Sequence, residues 1–410
     1  MRPQATCRLC GAKLSRTFVD LGSTPLANSY PTWNELAKPE PTYPLHARVC
    51  DRCLLVQVDA VVTPEAIFSD YAYFSSYSDS WVEHARRYAK EVQRRFELGD
   101  QSLVVEVASN DGYLLQHFVA AGIPVLGVEP AANVAAVASQ AGIRTEVAFF
   151  GSRTAQRLFS TQQADLVIAN NVMAHVPDLD DFVEGFKCTL APNGVITAEF
   201  PHLMKLIEGL QFDTIYHEHF SYFSLLSAER ALGRHHLRVF DVEELSTHGG
   251  SLRIYACHEE AQHAECPAVA TIRSQEHEHD LDNVRGYEDF GPRVDAALDQ
   301  LRAFLATAKS DGMKVAAYGA AAKGNTLLNS AGVTADLISC VADRSPHKQG
   351  HFMPGSRIPI VAPEVIYEQK PEFVLVLAWN LLDEIMMQMA GISDWGGRFV
   401  VPIPELQVVQ

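Results

Sequence analysis

Apolar positions in the chain follow two periods. From Ser80 to Phe96, Trp81, Val82, Ala85, Tyr88, Ala89, Val92 and Phe96 recur at helical spacing with arginine and glutamate between them, which predicts an amphipathic helix. Short apolar runs then alternate with helical stretches at Leu103–Val107, Val125–Val128, Asp165–Ala169 and Gly194–Glu199, and Leu237–Val242 with Ser251–Ala256 read as closing strands. Such alternation predicts a mostly parallel sheet covered on both faces. A second αβ text follows a long helical segment, Val294–Ala308, with strands at Val315–Tyr318, Leu337–Ala342 and Phe373–Ala378. Between the two units, Cys257–Asp280 is rich in His and Glu and reads as an exposed connector. Before them, residues 1–70 are turn-rich, with Gly22 to Pro25 and Pro39 to Pro44 as punctuation. The expected fold class is α/β: a small N-terminal module over 1–70, a central Rossmann-like sheet over 71–258 and a C-terminal Rossmann-like unit over 259–410.

The 410 residues, 47% of them hydrophobic, suffice for two or three cores. The net charge of −17 repels phosphate backbones, so nucleic acid is not an expected partner. No apolar run reaches bilayer-spanning length and the first residues lead into no signal-type region, so a membrane is not expected and a cytoplasmic location is.

Four of the eight cysteines form two CxxC pairs, Cys7/Cys10 and Cys50/Cys53; Cys188, Cys257, Cys266 and Cys340 are scattered. In a reducing compartment such pairs bind metal more often than they form disulfides, and two knuckles complete a closed all-sulfur shell. Structural zinc is therefore expected, with Gly11 easing the first knuckle turn. A nucleic-acid zinc ribbon uses the same ligands, but the intervening stretch is poor in Lys and Arg.

Two strand ends suggest a nucleoside cofactor. Glu106-Val107-Ala108-Ser109-Asn110-Asp111-Gly112 runs from strand to turn to helix, and Glu129 ends the next strand, where an acid meets ribose hydroxyls. A dinucleotide site wants GxGxxG for its pyrophosphate, and here Gly112 is the single glycine, which favours S-adenosylmethionine. Asn171 and His175 follow the strand at Asp165, on the ligand-binding side of such sheets. The densest chemistry is Tyr216-His217-Glu218-His219-Phe220-Ser221-Tyr222: a base, an anion and phenols suited to taking a proton from carbon and holding an enolate. The HExxH spacing of zinc proteases is absent, and His217 and His219 would diverge on a strand.

Taken in order, CxxCG, CxxC, EVASNDGYLL, NNVMAHVPD, YHEHFSYFS, THGGSLR and YGAAAKGNTLL cover nearly the whole chain. The combination resembles the zinc-containing sugar C-methyltransferases, which methylate C-3 of nucleotide-linked 4-keto deoxysugars. The resemblance implies that Tyr216, Glu218 and His219 form the catalytic cluster, with His219 as base and Glu218 orienting it, and that His175 lines the pocket. It implies S-adenosylmethionine against Glu106, Ser109, Asn110, Asp111, Gly112, Glu129 and Asn171. Ala108 and Asn110 stand at two glycine positions of the general methyltransferase motif, a departure from it. A dTDP-linked sugar would be held by His248, Arg253, Tyr318, Lys323, Asn325, Arg344 and Lys348, its diphosphate at the helix start after Tyr318, since a helix N-terminus with a cation nearby attracts phosphate. The module would wall one side of the cleft through Tyr71, Tyr73 and Tyr77, and a monomer is expected because three units can enclose their own cleft. Two alternatives remain at this level: O-methylation of a sugar or polyketide hydroxyl, and a zinc-organised scaffold without turnover.

Overall fold

A computed structural model describes residues 5–63 and 74–410. The expected wall residues Tyr71 and Tyr73 lie outside the described residues. Three sheets organise the chain. In the N-terminal module, β1 (Arg16–Thr24), β2 (Tyr43–Val49) and β3 (Val56–Val58) pair antiparallel. The central sheet begins with β4 (Val104–Val107), β5 (Val125–Val128), β6 (Thr145–Glu146), β7 (Ala164–Asn170) and β8 (Leu190–Pro201), all parallel. The chain then returns to the module, where β9 (Ser221–Tyr222) pairs with β3. It re-enters the central sheet as β10 (Leu237–Leu245) and β11 (Ser251–His258), giving the order β10-β11-β8-β7-β4-β5-β6 with β11 antiparallel to both neighbours. The C-terminal sheet comprises β12 (Val315–Tyr318), β13 (Val341–Ala342), β14 (Ile360–Val361), β15 (Phe373–Val376), β16 (Arg398–Val401) and β17 (Gln407–Val409). Its order is β14-β13-β12-β15-β16-β17, parallel except at β17.

The predicted amphipathic helix forms over Asp79–Arg95, capped by the Ser78 hydroxyl, which accepts from the Trp81 amide. The long helix before the C-terminal sheet is Phe290–Ser310, and the module packs on it: Phe18 stacks on Phe290 with ring centroids 4.3 Å apart. The module thus finishes its core on another unit, as expected of a sheet too small to bury its own apolar face.

Two local expectations change. The predicted strand over Leu337–Ala342 is a strand only at Val341–Ala342, because the amides of Leu337 and Ile338 turn back onto the Thr334 carbonyl. Half of the His-rich connector is helix, Pro267–Glu278, with Val269, Ile272 and Glu276 buried. Its Glu276 carboxylate accepts from the amides of Leu225 and Leu226 at the start of helix Leu225–Gly233 and from His202 Nε2 at 2.7 Å, capping that helix from inside the core.

Candidate active site

The turn after β4 carries the cofactor expectation, and its backbone explains the missing glycines. Ala108, Asn110 and Gly112 have φ of 55°, 50° and 84°, so three alternate positions take the left-handed conformation that glycine usually supplies. Asn is one of the few residues besides Gly that tolerate that region, and the Asn110 side-chain oxygen accepts from the amide of Ser75, 35 positions away, at 2.9 Å. Gly127 on β5 is required for space: a Cβ there would lie 2.4 Å from Ser109 Oγ.

Three buried carboxylates converge on this turn. Glu129 accepts from the amides of Asn110 (2.9 Å) and Ala131 (2.8 Å), and Asp111 accepts from the amide and hydroxyl of Ser76 (3.0 and 2.6 Å). Burial, with Glu129 and Asp111 close by, pushes Glu106 well above the usual carboxylate range, and burial raises Glu129 as well. Glu106 Oε2, Ser109 Oγ, Asp111 Oδ1 and both side-chain polar atoms of Asn171 are buried with no partner in the protein. Buried carboxyl groups with unspent acceptors suit a ligand bearing a sulfonium and an ammonium, whose positive charge favours their ionised forms, and disfavour a pyrophosphate. S-adenosylmethionine fits this donor set. Tyr77, expected against the substrate, is 75% exposed and stacks on Phe74.

The histidine cluster sits beside this cradle, where the segment leading to β9 crosses the carboxyl ends of the central strands. Residues 215–220 form a turn, so His217 and His219 diverge for a different reason than strand alternation. His217 Nε2 donates toward the carbonyls of Tyr43 and Pro44 in the module, 3.2 Å from each. His219 turns inward, with its ring 4.0 Å from that of Tyr216 and 4.8 Å from that of His175. His219 Nδ1 donates to the Thr214 carbonyl at 2.9 Å and His175 Nδ1 to the Glu218 carbonyl at 2.8 Å. A carbonyl only accepts, so both neutral rings carry their lone pair on Nε2. Burial lowers both: His175 to about 4, and His219 well below 6.5 with further opposition from His175.

The expectation that Glu218 orients His219 is corrected here. The Glu218 carboxylate points away, to the module, where it accepts from Asn28 Nδ2 at 2.8 and 3.0 Å. Thr214's main chain does the orienting, because the turn over Phe212–Thr214 brings that carbonyl under the ring.

The C-terminal residues divide into two groups. Lys323, near enough to His219 and His248 to oppose their charging, donates through Nζ to Asn380 Oδ1, while Asn325 Nδ2 donates to the Ala27 carbonyl and Lys348 Nζ to the Ala320 carbonyl at 2.7 Å. Lys323 lies 4.7 Å over the Trp379 ring, and Trp379 Nε1 donates to Asp213 Oδ2 at 2.7 Å. Burial lowers Lys323 and raises Asp213 to about 6. Tyr318 and Arg344 instead line a crevice of about 610 Å³ with Gln349, Glu364 and Tyr367, at the carboxyl ends of β12 to β14.

Arg253 is not among the accessible cations. It is 4% exposed, directly opposite Glu199 on β8 and Glu243 on β10, and bonded to each at 2.9 Å. Glu199 is fully buried, so its charge must be met from within the sheet, and the two Nη atoms of this guanidinium are engaged by Glu199 and Glu243. His248, held at φ 55° before two glycines, lies edge-on to Trp81 at 5.5 Å. Burial, with Lys323 nearby, lowers its pKa.

Sequence reading missed Asn28, His84, Glu199, Asp213 and Trp379. His84 and Thr247 both bond Glu199, at 3.1 and 3.0 Å. Glu199 ends the expected strand at the same sheet edge as Asn171, and that position was the available signal.

In the module, the Sγ atoms of Cys7, Cys10, Cys50 and Cys53 all lie within 4.8 Å of one another. Four thiolates at such spacing fit a tetrahedral Zn²⁺ with bonds of ~2.3 Å and no open position. Among the described residues no other group of three or more His, Cys, Asp or Glu side chains converges in this way. Among them, too, no helix is long and apolar enough to cross a membrane.

Three family models match the chain: a zinc binding domain over residues 7–68, a methyltransferase domain over 80–242 and a C-methyltransferase C-terminal domain over 246–404. C-methyltransferase NovU of Streptomyces niveus is 38% identical over 410 residues, 100% of this chain and 98% of that protein. Among solved structures, the PH0226 protein of Pyrococcus horikoshii OT3 aligns with 48% of this chain and 96% of its own, at 14% identity and a TM-score of 0.38. A S-adenosylmethionine-dependent methyltransferase from Clostridium acetobutylicum aligns with 43% of this chain and 92% of its own, at 11% identity and a TM-score of 0.34.

Proposed function

The chain belongs to the C-methyltransferase family, and from that premise we propose that its substrate is a nucleotide-linked 4-keto deoxysugar of the dTDP series, methylated at C-3 through an enolate. It is an S-adenosylmethionine-dependent enzyme that forms a carbon–methyl bond. The observation that carries the finer reading is His219: a buried imidazole, kept neutral at pH 7, with Nδ1 committed to the Thr214 carbonyl and Nε2 left as the base.

His219 Nε2 takes the proton from the carbon next to the ketone. The electron pair moves onto the carbonyl oxygen, where the Tyr216 phenol and the Lys323 ammonium oppose the growing charge. When bound, S-adenosylmethionine supplies a sulfonium-activated methyl group for the enolate carbon to take. Glu106, Ser109, Asp111 and Asn171 hold the cofactor's amino-acid and sulfonium end, and Glu129 meets its ribose. The Glu218–Asn28 pair ties the histidine turn to the N-terminal module. Lys323, Lys348 and the helix start after Ala321 offer positive potential to the diphosphate, and the Tyr318–Arg344 crevice offers room for the nucleoside. Zinc stands outside the chemistry because its shell is closed.

The test is mass spectrometry of the products from S-adenosylmethionine and a panel of dTDP-linked 4-keto sugars, with His219→Asn as control. One methyl gained on carbon, and lost in the control, is the expected result. Methylation on oxygen would overturn the enolate step, and a cofactor-binding protein that methylates no panel member would overturn the sugar.

A further inference from the structure

We propose that Arg8 and Gln57 are positioning residues that fasten the metal knuckle to the two segments carrying His175 and His219, making the four-cysteine site a working part of the catalytic unit. Arg8 lies inside the first CxxC pair, between ligands Cys7 and Cys10. Its guanidinium leaves the knuckle and makes three contacts. Nη2 donates to the Val58 carbonyl at 2.5 Å, Nη1 reaches the Pro177 carbonyl at 3.4 Å, and the plane lies 5.4 Å over the Phe220 ring. Pro177 is two residues after His175, and Phe220 directly follows His219. These segments are also bonded to each other: the Phe220 amide donates to the Ala174 carbonyl at 2.7 Å, and the Val58 amide to the Phe220 carbonyl at 3.1 Å. One side chain therefore bridges the knuckle, β3 and both histidine segments. A planar fork with several donors can hold two carbonyls at a fixed angle, which a lysine cannot.

Gln57 secures the other end. It is 1% exposed, its Oε1 accepts from the Arg8 amide at 2.9 Å, and its Nε2 donates to Cys7 Sγ at 3.2 Å. Its own backbone is paired with Ser221, two residues past His219. The amide thus reads the ligand sulfur on one side and the catalytic turn on the other. A donor to a metal-bound thiolate orients the ligand and tunes the site.

The inference rests on the reading of His219 as base for its activity arm alone; the arm that follows the rings does not. Arg8→Met, Arg8→Lys and Gln57→Leu are compared with the parent protein for zinc content, kinetics and the ¹⁵N ring signals of His175 and His219. His263, stacked on Phe240 elsewhere, serves as the internal reference. Arg8→Met is expected to keep its zinc, move both active-site ring signals and lose on the order of 10- to 100-fold in kcat with KM for S-adenosylmethionine within about 2-fold. Should Arg8→Met not fold, Arg8→Lys keeps the charge and stem and reads the same loss of the fork. Gln57→Leu is expected to lose about 10- to 100-fold in zinc affinity against a chelator. Stripping zinc from the parent protein should move the His175 and His219 signals and leave His263 in place. Unmoved ring signals with full kcat in the zinc-loaded Arg8 variants would overturn the proposal, as would a kcat that falls only in proportion to zinc lost. Activity retained by His219→Asn would overturn the base and leave the ring-signal arm standing.

Discussion

His175 and His219 meet edge to face, ring centroids 4.8 Å apart, and each spends its Nδ1 on a backbone carbonyl. Two imidazoles so arranged cannot both be charged in a buried site, and the pair is neutral at the pH where enolate chemistry needs a base.

Burial and His175 hold His219 well below 6.5, so kcat/KM should be flat from pH 6.5 to 8 and fall only on the acid side. His175→Gln removes a group that opposes the second proton, and the acid limb should move upward. His219→Asn should lose on the order of 10²- to 10⁴-fold in kcat. An acid limb near 6.5 in the parent enzyme would contradict the arrangement. The same shift makes a stability statement. The folded protein holds His175 at about 4 while the unfolded chain takes up the proton near 6.5, so its contribution is complete above 6.5 and disappears as pH falls toward 4. Denaturant titrations between those values should show a loss on the order of 3 kcal/mol from this group.

Asp213 is a buried carboxylate raised to about 6, against Trp379 and within the field of Lys323. Its folded pKa lies above the unfolded value, so at pH 7 the charge costs the fold stability. Asp213→Asn keeps an acceptor for Trp379 Nε1 and removes that cost. The Tm at pH 7 should rise by a few degrees, on a gain of about 1–2 kcal/mol. Activity should fall, because Lys323 then loses its counter-charge and is less often protonated. Thermal unfolding and kcat measured side by side separate the two effects.

How much of this was legible before the structure depends on whether the chemistry is local. Strands Val125–Val128 and Val315–Tyr318 appear where β-branched and small apolar runs meet turn residues, since local pattern decides them. The cysteine pairs are equally local. Glu218 was assigned to His219 by adjacency, yet it bonds Asn28, 190 positions away, while a main-chain carbonyl, invisible in any residue-type pattern, orients the ring. Arg253 reads as a free cation until strand order sets it between Glu199 and Glu243, and cross-strand register is a tertiary fact. The glycine positions of the cofactor turn show the converse: the backbone shape persists at Ala108 and Asn110 although the residue type does not announce it.

Gly127 tests the cofactor cradle without touching a charge. A methyl group there would sit 2.4 Å from Ser109 Oγ and 3.3 Å from Thr145 Oγ1, so Gly127→Ala must push the Ser109 side chain out of place. Overpacking of this kind costs about 1–3 kcal/mol. Calorimetric titration should show weaker S-adenosylmethionine binding with little change in sugar affinity, and Glu129→Ala should weaken the cofactor further through its lost acceptor and the two amides it leaves unbonded. Equal binding by Gly127→Ala would mean that Ser109 is not part of the cradle.

Arg253 separates a structural cation from a substrate-binding one. Burial works against its charge, but Glu199, together with Tyr88, Tyr255 and Glu243, outweighs that burial and raises the guanidinium's pKa further. Removing it as Arg253→Met leaves Glu199 charged and enclosed, with His84 and Thr247 as its remaining partners. Breaking a buried pair from one side costs about 3–5 kcal/mol, so Tm should fall sharply. In the double variant Arg253→Met/Glu199→Gln the orphaned charge is gone, and much of that loss should be recovered. A phosphate-binding arginine would behave in the opposite way: the single variant would keep its Tm and lose nucleotide-sugar affinity, and the second substitution would rescue neither. Thermal unfolding of the three variants with and without the nucleotide sugar therefore decides which of the two the buried position has made it.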